Sequence, residues 1–217
     1  MESSAKLDNQ LFILILQHPR ERRESVATAA LAMSLLRRAR LVVGLSWPNL
    51  QRALGDGEAV PVDARRWAVL HLGSIRPHAF GLDRRVIALD RHGQPEPNQP
   101  AMLRALDGAV LLDGSWGEAK ALWWRNPWLL KLRRLVLDPQ HPARYNRVRR
   151  EPRREALSTI EATALLLQEC DRRADIAAAL AAELDRWIGA PSPAPARPAH
   201  PARPAHPARP AHRRLAR

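Results

Sequence analysis

Ala109-Val110-Leu111-Leu112-Asp113-Gly114-Ser115-Trp116 passes from an unbroken apolar run, through an acid and a glycine, to a hydroxyl residue and an indole. The apolar run reads as a short strand buried on both faces, as in a parallel sheet. Asp113-Gly114 is a turn that stops it. Ser115 and Trp116 then lead into a helix through Gly117-Glu118-Ala119-Lys120. In an open α/β sheet, ligands bind outside the C-terminal ends of the strands, where a carboxylate can be held rigidly at a crevice. Strand, acid, glycine, hydroxyl and aromatic together read as a candidate site. The same residues also read as a polar strand end, a turn and a core Trp.

The pattern repeats on both sides of this stretch. Leu11 to Leu16 is a continuous apolar run, a second central strand, ended by Gln17-His18-Pro19 because Pro cannot continue a ladder. Ser25 is placed as an N-cap, and Val26, Ala29, Ala30, Met33, Leu36 and Ala39 recur at helical spacing up to Arg37-Arg38, cations suited to a helix C-terminus. Further strands are expected at Leu41 to Leu45, Trp67 to Leu72, Arg85 to Asp90 and Leu135 to Leu137, with short helices at Asn49 to Ala53 and Pro100 to Leu106. Lys120 to Trp124 continues the helix after Asp113. Trp123 and Trp124 are adjacent, so at most one of them faces the core squarely. Ser158-Thr159-Ile160-Glu161 fits a capping box at the start of a final apolar stripe through Ile160, Ala164, Leu167 and Cys170. The stripe resumes at Ile176, Leu180, Leu184 and Trp187, with a break marked at Asp175. Strands alternate with helices, so the expected class is α/β, a mostly parallel sheet flanked by helices.

The domain is placed at residues 10–190, between a polar, disordered start at 1–9 and a tail at 191–217. The tail repeats Ala-Arg-Pro-Ala-His-Pro and has almost nothing to bury, so it reads as disordered and extended. The 217-residue chain carries a net charge of +13, with Arg far ahead of Lys. Six arginines lie in the acid-free tail, so the body keeps +7 of that excess. Such a balance points to a polyanionic partner, nucleic acid first. The single cysteine, Cys170, excludes an internal disulfide framework and a cysteine zinc site. No apolar run reaches the roughly 18 residues of a membrane span. The start lacks a signal-peptide pattern, and a cytoplasmic protein with no membrane partner is the expectation. There is no Gly-x-Gly-x-x-Gly after a strand and no Walker A sequence, which argues against ordinary dinucleotide and P-loop sites.

Asp113-Gly114-Ser115-Trp116 resembles the signature of the DTW-domain family, the tRNA-uridine aminocarboxypropyltransferases. The family pattern is Asp, any residue, Thr, Trp; Ser115 keeps the hydroxyl and loses a methyl. Three further blocks agree in order: Gln17-His18-Pro19-Arg20-Glu21, then Arg144-Tyr145 with Arg149-Arg150-Glu151-Pro152, then Leu157-Ser158-Thr159-Ile160-Glu161-Ala162. The likeness runs from about Leu11 to about Glu183. Relatives often carry an N-terminal cysteine cluster of zinc-ribbon type; here it is lost or lies upstream.

The resemblance implies a SPOUT-like fold with a C-terminal trefoil knot, which periodicity cannot reveal. It implies S-adenosylmethionine as donor substrate, with no metal required, tRNA as partner and a possible homodimer. The implied reaction transfers the 3-amino-3-carboxypropyl group to N3 of a tRNA uridine. Uridine N3 is a poor nucleophile until it loses its proton, and Asp113 is the candidate base, with Ser115 to orient it or touch the donor and Trp116 as site wall. Gly73, Ser74, Leu157, Ser158, Thr159 and Glu161 are the candidates to hold the donor, the last four also reading as a plain cap. His18, Arg20, Lys120, Arg125, Arg144, Tyr145, Arg147, Arg149 and Arg150 are the candidates to hold RNA, one tyrosine among cations suiting a flipped base. They read equally as a strand-end histidine and a solvated basic loop. The alternatives are a related donor-dependent enzyme acting on ribosomal RNA or transferring methyl, and a catalytically silent RNA-binding protein.

Overall fold

In the computed structural model the described residues are 5–20, 28–55, 60, 62–70, 80–90, 92–138 and 157–189. The organising strand is β1 (Phe12–Gln17), in which all six residues are buried. Successive strand side chains point to opposite faces. Ile13 and Ile15 accordingly enter one apolar layer, and Phe12, Leu14 and Leu16 the other. An uninterrupted apolar run is what a strand covered on both sides requires.

Around β1 lie β2 (Ala39–Val43), β3 (Trp67–Leu70), β4 (Val86–Leu89), β5 (Gly108–Asp113) and β6 (Arg133–Leu137). The sheet order is β2-β1-β5-β3-β6-β4. Every pairing is parallel except β4 with β6. Helices α1 (Thr28–Leu35), α3 (Gln99–Arg104), α5 (Thr159–Cys170) and α6 (Ala174–Gly189) bury their apolar sides in the Ile13–Ile15 layer. On the opposite face, α2 (Leu50–Leu54), α4 (Trp116–Arg125) and the 3-10 turn Pro127–Lys131 cover Phe12, Leu14 and Leu16. This is the α/β architecture expected from the sequence. The chain leaves β1 for β2 past α1 on one face and returns to β3 past α2 on the other. The strand order therefore reverses beside β1, and the C-terminal ends of β1 and β5 border the crevice where such sheets bind ligands. The expected trefoil knot depends on connections outside the described residues, which omit 71–79, 139–156 and the tail.

Close packing fixes one glycine of β5. Gly108 is the register partner of Trp67 on β3, and Trp67 is fully buried. A Cβ on Gly108 would stand 2.6 Å from the Trp67 ring, so only glycine fits beside that indole.

Several boundaries differ from the sequence reading, among them β2, which runs from Ala39 to Val43 instead of Leu41 to Leu45, and three have a visible cause. Helix α1 ends at Leu35, and Arg37-Arg38 do not cap it. Leu7 N–H donates to Leu35 O at 2.7 Å and Arg37 N–H to Leu7 O at 3.0 Å, which draws residues 36–38 onto the chain start. Asn9, fully buried, completes the junction: its amide donates to the Leu11 and Arg38 carbonyls and its oxygen accepts from Arg38 N–H. Leu7 and Asn9, assigned by sequence to a disordered start, are thus built into the domain, and Ala39 belongs to β2. The final helical break falls at residues 171–173, where Arg172 takes a positive φ of 55°. Asp175 lies just past it, in the first turn of α6. Strand β6 begins at Arg133, two residues early, because Arg133 Nη1 pairs with Glu96 at 2.6 Å and Nε donates to Arg65 O at 2.7 Å.

Candidate active site

Gln17 ends β1 and Asp113 ends β5, and the two are register partners. The polar end of one apolar strand therefore meets the polar end of the next. Asp113 is 5% exposed. Its Oδ2 accepts from Gln17 Nε2 at 2.8 Å. Its Oδ1 accepts from the Thr159 hydroxyl, at the first residue of α5. A buried carboxylate requires such partners, since unpaired burial of charge is costly. The two donors fix the plane of the carboxylate and leave it further lone pairs.

Gly114 turns the chain away from β5 with φ of 153°, a conformation that side chains other than glycine rarely adopt. A Cβ there would lie 2.9 Å from Glu118 Cβ and 3.4 Å from His18 Cβ. Ser115 is then the N-cap of α4, in a capping box with Glu118. Glu118 Oε2 accepts from Ser115 N–H at 2.9 Å and from its hydroxyl at 2.7 Å. The orienting role that sequence offered to Ser115 thus belongs to Gln17 and Thr159, because the serine hydroxyl is engaged by the cap. The other oxygen of Glu118 stands 3.4 Å from His18 Nδ1, and that nitrogen also accepts from Arg20 N–H at 3.3 Å. The two contacts ask opposite roles of one nitrogen: carrying a hydrogen it donates to Glu118, and bare it accepts from Arg20 N–H. His18 N–H donates to Asp113 O at 3.0 Å, tying this group to the same strand end.

A second capping box opens α5, where Glu161 Oε2 accepts from Ser158 N–H at 3.0 Å and from its hydroxyl at 2.6 Å. Two helix N-termini, each capped by a glutamate, therefore converge on the end of β5. Helix starts carry partial positive charge and unpaired amides, which suit anionic groups. The box at α5 uses the Ser158 and Glu161 amides and leaves those of Thr159 and Ile160 as the first-turn donors. Leu157, just before the cap, packs against the core.

The chain belongs to the DTW-domain family. The family model, a DTW domain, matches residues 2–189, a span that includes every described residue. The family is known for tRNA modification, which gives the chain an RNA-related role at family level. No curated protein and no solved structure matches the chain. The structure shows how the family's separate blocks come together: Gln17 and His18 from the first, Asp113 and Ser115 from the second, and Ser158, Thr159 and Glu161 from the last share one corner of the sheet.

The remaining candidates are spread more widely. Arg20 is exposed beside His18, and Lys120 and Arg125 are exposed on α4. Trp116 is half exposed, with Lys120 Nζ 6.0 Å from its ring centroid. Trp123 packs against the core while Trp124 is 74% exposed, the division of labour that adjacency imposes. Gly73, Ser74, Arg144, Tyr145, Arg147, Arg149 and Arg150 lie outside the described residues. Sequence reasoning placed no role on Gln17 or Glu118. Gln17 carries a usable signal, the polar residue that closes an all-apolar strand; Glu118 shows only as the third residue after a capping serine. Among the described residues no helix is long and apolar enough to cross a membrane.

Proposed function

We propose that this DTW-domain chain transfers the 3-amino-3-carboxypropyl group of S-adenosylmethionine to N3 of a tRNA uridine. The observation that carries the reading is the Asp113 carboxylate, buried at the end of β5 and fixed by Gln17 and Thr159. A carboxylate so held can take the N3 proton as the nucleophile approaches, provided the uracil reaches one of its free lone pairs. The nitrogen then forms a bond to the donor's carbon, the carbon–sulfur bond breaks, and methylthioadenosine leaves with the electron pair. The donor supplies a carbon already activated by its sulfonium, so the chain's main contribution is alignment. The first turn of α5 suits the donor's carboxylate at the Thr159 and Ile160 amides. Leu157 would flank it, while Ser158 and Glu161 hold the turn in shape. His18 and Arg20 stand at the RNA side of the same corner.

The test is incubation of the full chain with tRNA and donor labelled in the aminocarboxypropyl chain. Label in RNA together with methylthioadenosine release is the expected result. Release of S-adenosylhomocysteine would replace this reading by methyl transfer. RNA binding without donor turnover would replace it by a silent RNA-binding protein.

A further inference from the structure

Helix α4 starts three residues after Asp113 and buries one side, Ala119 and Leu122, against the sheet. Its opposite side carries Trp116, Lys120 and Trp124, spaced four residues apart. Residues at that spacing stack along one helix face, winding slowly around it. All three are exposed, Trp116 by half and Trp124 by 74%. Two large indoles turned to solvent on one short helix are unusual for a water-soluble surface, and the cation between them lies over one ring. Packing does not explain Trp124, because its neighbour Trp123 already supplies the indole that meets the core.

We propose that the Trp116–Lys120–Trp124 face of α4 is a stacking platform for unpaired nucleotides flanking the target uridine of the RNA substrate. The proposal rests on the RNA-modification reading and extends it to a specific surface. Three features favour RNA as the occupant. The two indoles stand about 12 Å apart along the helix axis at 1.5 Å per residue, the length of a few stacked bases. Lys120 between them and Arg125 at the helix end offer charge to the phosphates, in a chain of net charge +13. Trp116 sits at the Asp113 corner, so a strand laid along the helix arrives at the candidate site. Stacking tolerates any base, so the platform recognises single-strandedness rather than sequence. It would hold a loop open and leave the choice of uridine to other contacts.

The experiment measures binding of the full chain to a fluorescein-labelled, uridine-containing single-stranded oligoribonucleotide and to the duplex of the same sequence, by anisotropy at fixed salt. The variants are Trp124→Ala, Trp124→Phe, Trp116→Phe and Lys120→Ala, with Val62→Ala, exposed in the segment before β3, as control. Far-UV circular dichroism checks each fold. The expected result is preference for the single strand, loss of about 5- to 150-fold in affinity for Trp124→Ala, and substantial recovery in Trp124→Phe, as base–aromatic stacking predicts. Lys120→Ala should flatten the salt dependence of binding, and Val62→Ala should bind as wild type. Unchanged affinity in Trp124→Ala, with wild-type binding intact, overturns the platform and leaves the RNA reading standing. Absence of binding to both this strand and whole tRNA overturns the RNA reading and the platform with it.

Discussion

Gln17 Nε2 donates to Asp113 Oδ2 at 2.8 Å, across adjacent parallel strands whose C-terminal residues stand in register. With the Thr159 hydroxyl on the other oxygen, three segments far apart in the chain meet at one carboxylate. Asp113→Asn tests what the charge does. The asparagine oxygen can accept from Gln17, and Thr159 can reverse its hydroxyl and accept from the new amide, so the fold should survive. Transfer to tRNA should fall by about 100-fold or more, the lower range of general-base effects, with RNA binding retained. A variant that transfers at the wild-type rate would remove Asp113 from the role of base.

Gln17→Leu acts on the same carboxylate from the outside. It leaves a buried anion with one donor fewer, at a cost of about 1–3 kcal/mol in urea unfolding. Because its amide holds Asp113, transfer to tRNA should lose kcat while the KM for RNA holds. A stability loss with unchanged kcat would assign Gln17 a structural role alone.

Gly114 is the residue in the signature block for which the family pattern allows any type, yet here it is constrained. Its φ of 153° disfavours a side chain, and so does Glu118, whose Cβ would lie 2.9 Å from a Cβ added there. Gly114→Ala should cost about 1–3 kcal/mol of stability, the usual range for a residue held in a sparsely populated backbone region. Urea unfolding reads the cost; an unchanged midpoint would mean that the turn relaxes freely.

The sheet was legible in the sequence because its central strands are covered on both faces and so appear as unbroken apolar runs, Leu11 to Leu16 and Ala109 to Leu112. The polar strand end at Asp113 and the capping box at Ser158 were legible from local pattern, whereas the cap at Ser115 was not read. The partners of Asp113 were not, since register between β1 and β5 is a tertiary fact: nothing within a few residues of Asp113 points to Gln17. Ser115, adjacent to Asp113, suggests itself as the orienting group, but the local cap claims its hydroxyl. The end of α1 escapes a local reading because Leu7 and Asn9, in a polar start, compete for the backbone of residues 35–38.

Cys170 closes α5 against the core, and burial, followed by the charges of Glu169 and Asp171, pushes its thiol up to about 12. The thiolate is the reactive form, so the native protein should resist alkylation. At pH 8, iodoacetamide should modify the folded chain at least about 100-fold more slowly than the urea-unfolded chain, whose thiol returns to an ordinary pKa. Rapid labelling of the native protein, followed by mass spectrometry, would show that the end of α5 opens readily.

Asp175, in the first turn of α6, has its carboxyl lowered to about 2, chiefly by the hydrogen bond from Arg173, with the Ile176 amide and the Arg173 charge also favouring the ionised form and desolvation opposing it. A folded-state value below the unfolded one means that the unfolded chain binds the proton first as pH falls. The stabilisation is therefore fully present above about pH 4, where the unfolded carboxyl is ionised, and is lost as pH falls through about 2. Asp175→Asn should lower Tm at pH 7, with the gap to wild type constant down to about pH 5 and closing between about 4 and 2. The pair is exposed, so the effect should be small and should shrink in 1 M salt. A gap that persists at pH 2 would trace the loss to the asparagine's effect on the helix start instead of to the carboxylate's charge.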